Sequence, residues 1–193
     1  MTNNKLPLFI DFEASSLNVD SYPIEVAWSV ENGSIESHVI NPYSVDSWTD
    51  WEPAAQEIHG LSKQRLLEEG REPAWVARRM NEVLAGKTLL TNAYEFDLDW
   101  CETLFKAANE KMDFKFGDAW SVMGRNLKLA PTLQDIMLDK PASAQAIYNE
   151  LRSISKLAWS RAKGERHRAA VDVQQLKDMW DIVQELNNKG VNE

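Results

Sequence analysis

Cysteine is almost absent from this sequence, since Cys101 is the only one among 193 residues. A single cysteine excludes an internal disulfide, and it cannot build a thiolate metal site. Any metal ion bound by the chain is therefore expected to be held by oxygen and nitrogen ligands.

Long hydrophobic runs are also missing, and none approaches the roughly 20 residues that a transmembrane helix needs. Residues 1–5 lack the basic region and apolar stretch of a secretory signal, so we expect a cytoplasmic protein without membrane contact. No internal repeat, low-complexity tract or interdomain linker is found. We therefore predict one domain over residues 1–193.

Basic residues are outnumbered, with 21 Lys and Arg against 30 Asp and Glu and a net charge of -9. This balance argues against broad nucleic-acid binding through a basic surface. It still allows a local contact, because bound metal ions can neutralise the site of an enzyme that engages only a few nucleotides.

The hydrophobic pattern predicts an α/β fold that opens with an antiparallel meander. Residues 6–14 form an apolar run of β-formers, and residues 23–30 and 35–40 flank a turn signal. A short strand at 88–93 that follows a helix implies parallel pairing through a right-handed crossover. We predict helices at 62–69 (capped by Ser62), 73–85, 95–110 and 166–187, and one more strand at 114–122. The stretch 124–165 is unassigned apart from a helix-like piece at 144–157. Residues 41–53 are predicted to form a loop whose Trp48 and Trp51 pack onto the core, with stacking on nucleic-acid bases as the alternative.

Two carboxylates, Asp11 and Glu13, stand two residues apart at the end of the first predicted strand. Side chains at i and i+2 of a strand point to the same face, so these like charges are expected side by side. A divalent cation held by oxygen ligands is the simplest compensation. The alternative is a solvated strand end.

Asp97 follows the strand at 88–93 and opens a helix. An acidic residue here also has a purely structural explanation, because it complements the helix dipole and caps the first turn. If this strand pairs beside the first one, however, Asp97 lies near Asp11. Asp99 is a competing candidate that sequence spacing does not exclude.

Asp172 lies among apolar residues at the start of the last predicted helix, where a carboxylate without a partner is costly. His167 precedes it by about one turn and accepts a proton near neutral pH. Beside arginines, a histidine would otherwise be read as a surface residue.

Three motifs in order resemble those of the DEDDh (DnaQ-like) 3′-to-5′ exonuclease superfamily, which includes bacterial proofreading subunits, oligoribonuclease and ribonuclease T. They are Asp-x-Glu at 11–13, Asn-x-x-x-Phe-Asp at 92–97 and His-x-Ala-x-x-Asp at 167–172. The resemblance favours Asp97 over Asp99, because the family's aspartate directly follows the aromatic residue. It implies a ribonuclease-H-like mixed sheet, a three-stranded antiparallel meander plus parallel strands, flanked by helices.

The resemblance also implies a mechanism. Asp11, Glu13 and Asp172 would hold one divalent ion, and Asp11 with Asp97 a second. Mg²⁺ or Mn²⁺ suits such an all-oxygen site. His167 would be the general base in hydrolysis at the 3′ ends of single-stranded DNA or RNA, releasing nucleoside 5′-monophosphates.

Substrate contacts are expected at three places. Ser15, Ser16 and Leu17 directly follow the first two acidic residues and would meet the terminal nucleotide, unless they form an ordinary turn. Residues 58–62 are similar to a segment that many family members carry, which makes His59 a further candidate for substrate contact. The alternative explanation of this segment is a loop followed by a helix cap. A basic cluster would bind backbone phosphates, although a solvated loop explains it equally well. Its members are Arg161, Lys163, Arg166 and Arg168.

Other functions stay open from the sequence. One is an exoribonuclease dedicated to short or structured RNA ends, since preference for the 2′-hydroxyl cannot be read from the motifs. Another is a non-catalytic nucleic-acid-binding module of the same fold, which predicts a broken motif set, whereas all five positions are filled here. A phosphatase of unrelated fold does not explain three spaced motifs. Some relatives act as homodimers, but the sequence shows no interface.

Overall fold

The computed structural model describes residues 6–129, 143–164 and 167–189. These residues form a five-stranded mixed sheet with helices on both faces. The strands are β1 (Leu8–Ala14), β2 (Pro23–Ser29), β3 (Ile35–Val39), β4 (Thr88–Thr91) and β5 (Lys115–Asp118). The helices are α1 (Pro53–His59), α2 (Lys63–Glu69), α3 (Pro73–Leu84), α4 (Tyr94–Ala107), α5 (Ala119–Asn126), α6 (Ala144–Arg161) and α7 (Ala169–Lys189), with a 3₁₀ turn at Pro42–Ser44.

The strand order is β3-β2-β1-β4-β5. The pairs β1–β2 and β2–β3 are antiparallel, and the pairs β1–β4 and β4–β5 are parallel. This confirms the predicted meander, the predicted crossover and the ribonuclease-H-like fold class. Because β1 and β4 run in the same direction, their carboxyl ends lie at the same edge of the sheet.

Alternation along β1 divides its side chains between two hydrophobic cores. Ile10 and Phe12 pack toward α3 and α4, whereas Phe9 packs toward α5, α6 and α7. Asp11 and Glu13 continue the face of Phe9. They therefore point toward the start of α7, which packs against β1 and β2.

Several element predictions needed correction, and the helix predicted at 95–110, for example, ends at Ala107. The strand predicted at 114–122 ends at Asp118, whose carboxylate accepts a hydrogen bond from the Ser121 backbone N–H at 2.6 Å and so begins α5. The helix predicted at 144–157 continues to Arg161. The last helix begins at Ala169 and not at 166, because His167 has a left-handed backbone with φ 61°.

None of the described helices combines the length and the hydrophobicity of a membrane span.

Ser62 caps α2 as predicted, accepting a hydrogen bond from the Arg65 backbone N–H at 3.2 Å. The loop tryptophans also lie as predicted. Trp48 stacks on Tyr22 with ring centroids 5.1 Å apart, and Trp51 packs edge-on against His59.

Candidate active site

Three carboxylates meet where β1 approaches the start of α7. Asp11 is buried, Glu13 and Asp172 are half-buried, and one carboxylate oxygen from each lies within 4.8 Å of the other two. The elements explain this convergence, since Asp11 and Glu13 share one face of β1 and Asp172 lies in the first turn of α7.

Asp97 is buried in the first turn of α4, beside the same edge of the sheet. The Thr91 hydroxyl donates a hydrogen bond to its carboxylate, and the Phe12 backbone contributes another. These bonds tie Asp97 to β4 and to β1. They fix its position relative to Asp11.

The electrostatics of the cluster favour a bound cation. Burial raises the pKa of Asp11 well above its usual range, with repulsion from Asp97 and Asp172 adding to the effect. Burial, followed by repulsion from Asp172, raises the pKa of Glu13 to about 8. The pKa of Asp97 rises to about 7, mainly through burial, although the Thr91 hydrogen bond opposes the rise.

A divalent metal fits these residues. The Oδ2 atom of Asp11 is buried and has no hydrogen-bond partner among the described residues. A buried carboxylate oxygen without a donor, crowded by further carboxylates, is the environment that an oxygen-coordinated cation stabilises.

A cavity of about 400 Å³ opens onto this cluster. Its lining includes all five residues that the three motifs single out, His167 among them. His167 is exposed and lies two residues before α7. Its left-handed backbone costs roughly 1–2 kcal/mol for a residue with a Cβ atom, and such conformations concentrate at functional sites.

The segment after β1 only partly lines the cavity. The Ser15 hydroxyl is buried, accepts a hydrogen bond from the Tyr22 backbone N–H at 3.1 Å and does not reach the cavity. The Ser16 hydroxyl donates to Asp50, which holds the turn. Leu17 lines the cavity with 71% of its side chain exposed.

His59 closes another wall of the cavity at the end of α1. Its Nδ1 accepts a hydrogen bond from the Leu61 backbone N–H at 3.0 Å, so the proton of the neutral ring is assigned to Nε2. That Nε2 is buried and has no partner in the described part of the protein. Burial lowers the pKa of His59 to about 4.

The described members of the predicted basic cluster do not line the cavity. Of its described members, Arg168 binds Glu25 on β2, Arg161 pairs with Glu185 at 3.6 Å, and neither they nor Lys163 line the cavity. Arg166 lies outside the described residues.

Sequence reasoning missed Trp159 and Glu25. Trp159 lines the cavity from α6, but helical spacing alone reads it as an ordinary core residue. Glu25 is a buried carboxylate within the otherwise buried β2, and that isolated charge is the signal that would have identified it.

The mixed sheet and its flanking helices define a ribonuclease-H-like α/β fold, and solved structures of E. coli exonuclease I share it. The zinc-bound form in complex with single-stranded DNA has a TM-score of 0.66 and 18% identity, covering 96% of this chain and 41% of that one. The complex with a dA16 oligonucleotide has a TM-score of 0.64 and 18% identity, covering 94% and 41%. A product-bound structure of exonuclease I has a TM-score of 0.61 and 19% identity, covering 94% and 44%.

This chain therefore spans about two fifths of the length of those structures. At such low identity the likeness shows the fold alone. No family model and no curated protein sequence matches the chain.

Proposed function

We propose that the protein is a metal-dependent 3′-to-5′ exonuclease that hydrolyses phosphodiester bonds at the 3′ ends of single-stranded nucleic acid. The observation that carries the proposal is the convergence of Asp11, Glu13, Asp97 and Asp172 with His167 on one cavity. The shared fold with exonuclease I, solved with single-stranded DNA, agrees with it.

The acidic residues would hold two divalent ions, Mg²⁺ or Mn²⁺, with Asp11, Glu13 and Asp172 at one ion and Asp11 with Asp97 at the other. When bound, such ions supply positive charge that activates an attacking water and stabilises a leaving oxygen. The carboxylates themselves must be deprotonated to serve as ligands.

His167 takes the proton of the attacking water in this proposal. Its exposure and its place on the cavity wall allow the imidazole to reach solvent and substrate. Loss of a general base typically costs about 10²–10⁴-fold in rate.

The cavity walls hold the terminal nucleotide. Leu17 offers an apolar contact on one side, Trp159 an aromatic one on another, and aromatic side chains stack on bases of any sequence. The neutral His59 ring adds a further wall, with its proton on Nε2. Hydrolysis at the last phosphodiester bond would release nucleoside 5′-monophosphates.

The test is an assay with end-labelled single-stranded DNA and RNA of equal sequence, in Mg²⁺, Mn²⁺ or EDTA. We expect stepwise shortening from the 3′ end that needs metal and is lost in Asp11→Asn and His167→Ala. Asp99→Asn is the matched control, because Asp99 is exposed and does not line the cavity. Cleavage in EDTA, or equal rates in all variants, would refute the proposal. Comparing the DNA and RNA rates also tests the alternative of a dedicated exoribonuclease.

A further inference from the structure

An ion pair between buried Glu25 and partly buried Arg168 joins the start of α7 to the middle of β2. The Arg168 guanidinium donates through Nη2 to Glu25 Oε1 at 2.7 Å and through Nε to Oε2 at 3.0 Å. The Ala169 backbone N–H adds a third bond to Oε2 at 3.1 Å. Glu25 is only 2% exposed, and Arg168 and Ala169 supply the hydrogen bonds that its buried carboxylate needs.

Glu25 also lies directly opposite Glu13 in the antiparallel β1–β2 ladder. Like charges in facing positions repel each other. Arg168 offsets this repulsion, because its positive charge acts on Glu13 as well as on Glu25. The pair therefore borders the acidic cluster without lining the cavity.

Backbone hydrogen bonds connect this ion pair to the cavity residues. The Arg168 carbonyl accepts hydrogen bonds from the backbone N–H groups of Val171 at 2.7 Å and of Asp172 at 3.1 Å. Fixing Arg168 therefore fixes the turn that carries Asp172. His167 precedes Arg168 by one residue, so the same ion pair limits where the imidazole lies.

We propose that Glu25 and Arg168 are positioning residues, which set Asp172 and His167 against Asp11 and Glu13. This inference rests on the proposed function and gives Arg168 a role other than the phosphate contact expected from sequence. A buried ion pair is often no more stabilising than apolar residues of similar size. Positioning therefore accounts for the pair better than stability does.

A matched control pair exists elsewhere on the sheet. Arg79 on α3 donates to Glu36 on β3 through Nε at 2.7 Å and Nη2 at 3.1 Å. Both pairs are bidentate and join a helix to a strand, but neither Arg79 nor Glu36 lines the cavity. Arg79→Met thus reproduces the loss of an ion pair without touching the acidic cluster.

The experiment compares Arg168→Met, Glu25→Gln, their double variant, Arg168→Lys and Arg79→Met. It measures kcat and KM on a single-stranded oligonucleotide, Mn²⁺ affinity by calorimetry, and thermal unfolding. For Arg168→Met we expect kcat to fall roughly 10–100-fold with little change in KM, and the Mn²⁺ Kd to rise by a similar factor. The double variant should be no worse than the poorer single variant, and Arg168→Lys should be intermediate, since lysine cannot bond in bidentate fashion.

Two results would overturn the proposal. A raised KM with unchanged kcat would make Arg168 a substrate contact. Equal changes in Arg168→Met and Arg79→Met would make the pair merely structural. If Arg168→Met does not fold, Arg168→Lys decides the question by the same readouts. If the wild type hydrolyses nothing, the proposed function is refuted but the positioning role is still tested. The Mn²⁺ affinities of the wild type and of Arg168→Met show whether Arg168 orders the acidic cluster.

Discussion

The Thr91 hydroxyl, at the end of β4, donates a hydrogen bond to the buried Asp97 carboxylate six residues later. This bond lowers the pKa of Asp97 against the larger effect of burial. Thr91→Val should therefore raise the pKa of Asp97 above about 7 and loosen its orientation. We expect exonuclease activity to fall about 10–100-fold and the activity that remains to need a higher pH.

The control for this prediction is Thr91→Ser, which keeps the hydroxyl. Its pH–rate profile should follow that of the wild type. Coincident profiles for the valine and wild-type proteins would show that the hydrogen bond does not tune Asp97.

The acidic cluster predicts an unusual pH dependence of stability in metal-free protein. The pKa of Glu13 is 4.5 unperturbed and about 8 when folded. Between these values the native state binds a proton that the unfolded state lacks. The stabilising contribution of protonated Glu13 is therefore complete below pH 4.5 and is lost as pH rises through 8. Thermal unfolding in EDTA should show this trend in the wild type. Mn²⁺ should restore most stability at the alkaline end, where the carboxylates are deprotonated.

Two variants separate this effect from general charge effects. Without metal at pH 8, Glu13→Gln should be more stable than the wild type, because it removes one negative charge from the crowded acidic cluster. Glu72→Gln, at an exposed position just before α3, should leave the curve unchanged. A metal-free wild type that gains stability from pH 5 to pH 8 would contradict the prediction.

His59 is expected to stay neutral throughout the physiological range. Burial lowers its pKa to about 4, whereas an unperturbed histidine titrates near 6.5. Proton–nitrogen NMR of the imidazoles should show one ring protonated at Nε2 that does not titrate above about pH 5, and His59→Gln should remove that signal. Titration of this ring near pH 6.5 in native protein, as in urea-unfolded protein, would contradict the burial argument.

Leu17 should contribute to substrate binding and not to folding. Its side chain is 71% exposed on the cavity rim, so Leu17→Ala should change stability by less than about 0.5 kcal/mol. Burial of the leucine against a nucleotide is worth about 1.5 kcal/mol, or roughly a tenfold increase in KM on truncation. Leu67→Ala is the control, since Leu67 is 56% exposed on α2 and away from the cavity. Equal KM values would remove Leu17 from the binding surface.

Local patterns predicted much of the fold and of the candidate site. Strand alternation placed Asp11 and Glu13 on one face, and the motif order led to Asp97, His167 and Asp172 on the same cavity. The four carboxylates lie on β1 and in first helical turns, and His167 lies two residues before α7. Sequence signals mark such positions well.

Such local signals do not reveal contacts between segments that are distant in the sequence. The partner of Arg168 is 143 positions earlier in the sequence, so a basic cluster read locally was assigned to phosphates. Helix α1 had local signals that were overlooked, with Pro53 at its first turn and Gly60 in left-handed conformation at its end. Trp159 reaches the cavity only because α6 packs beside α7, which periodicity cannot show.

The alternation along β1 has a consequence for how this chain tolerates length changes. One strand carries both the core and the acidic residues on opposite faces, so inserting a single residue before Asp11 would exchange the two sets. Carboxylates would then enter the core beneath α3 and α4, and Phe12 would point toward α7. Natural variants of this chain should thus reject single-residue insertions in β1, even where every residue type is conserved.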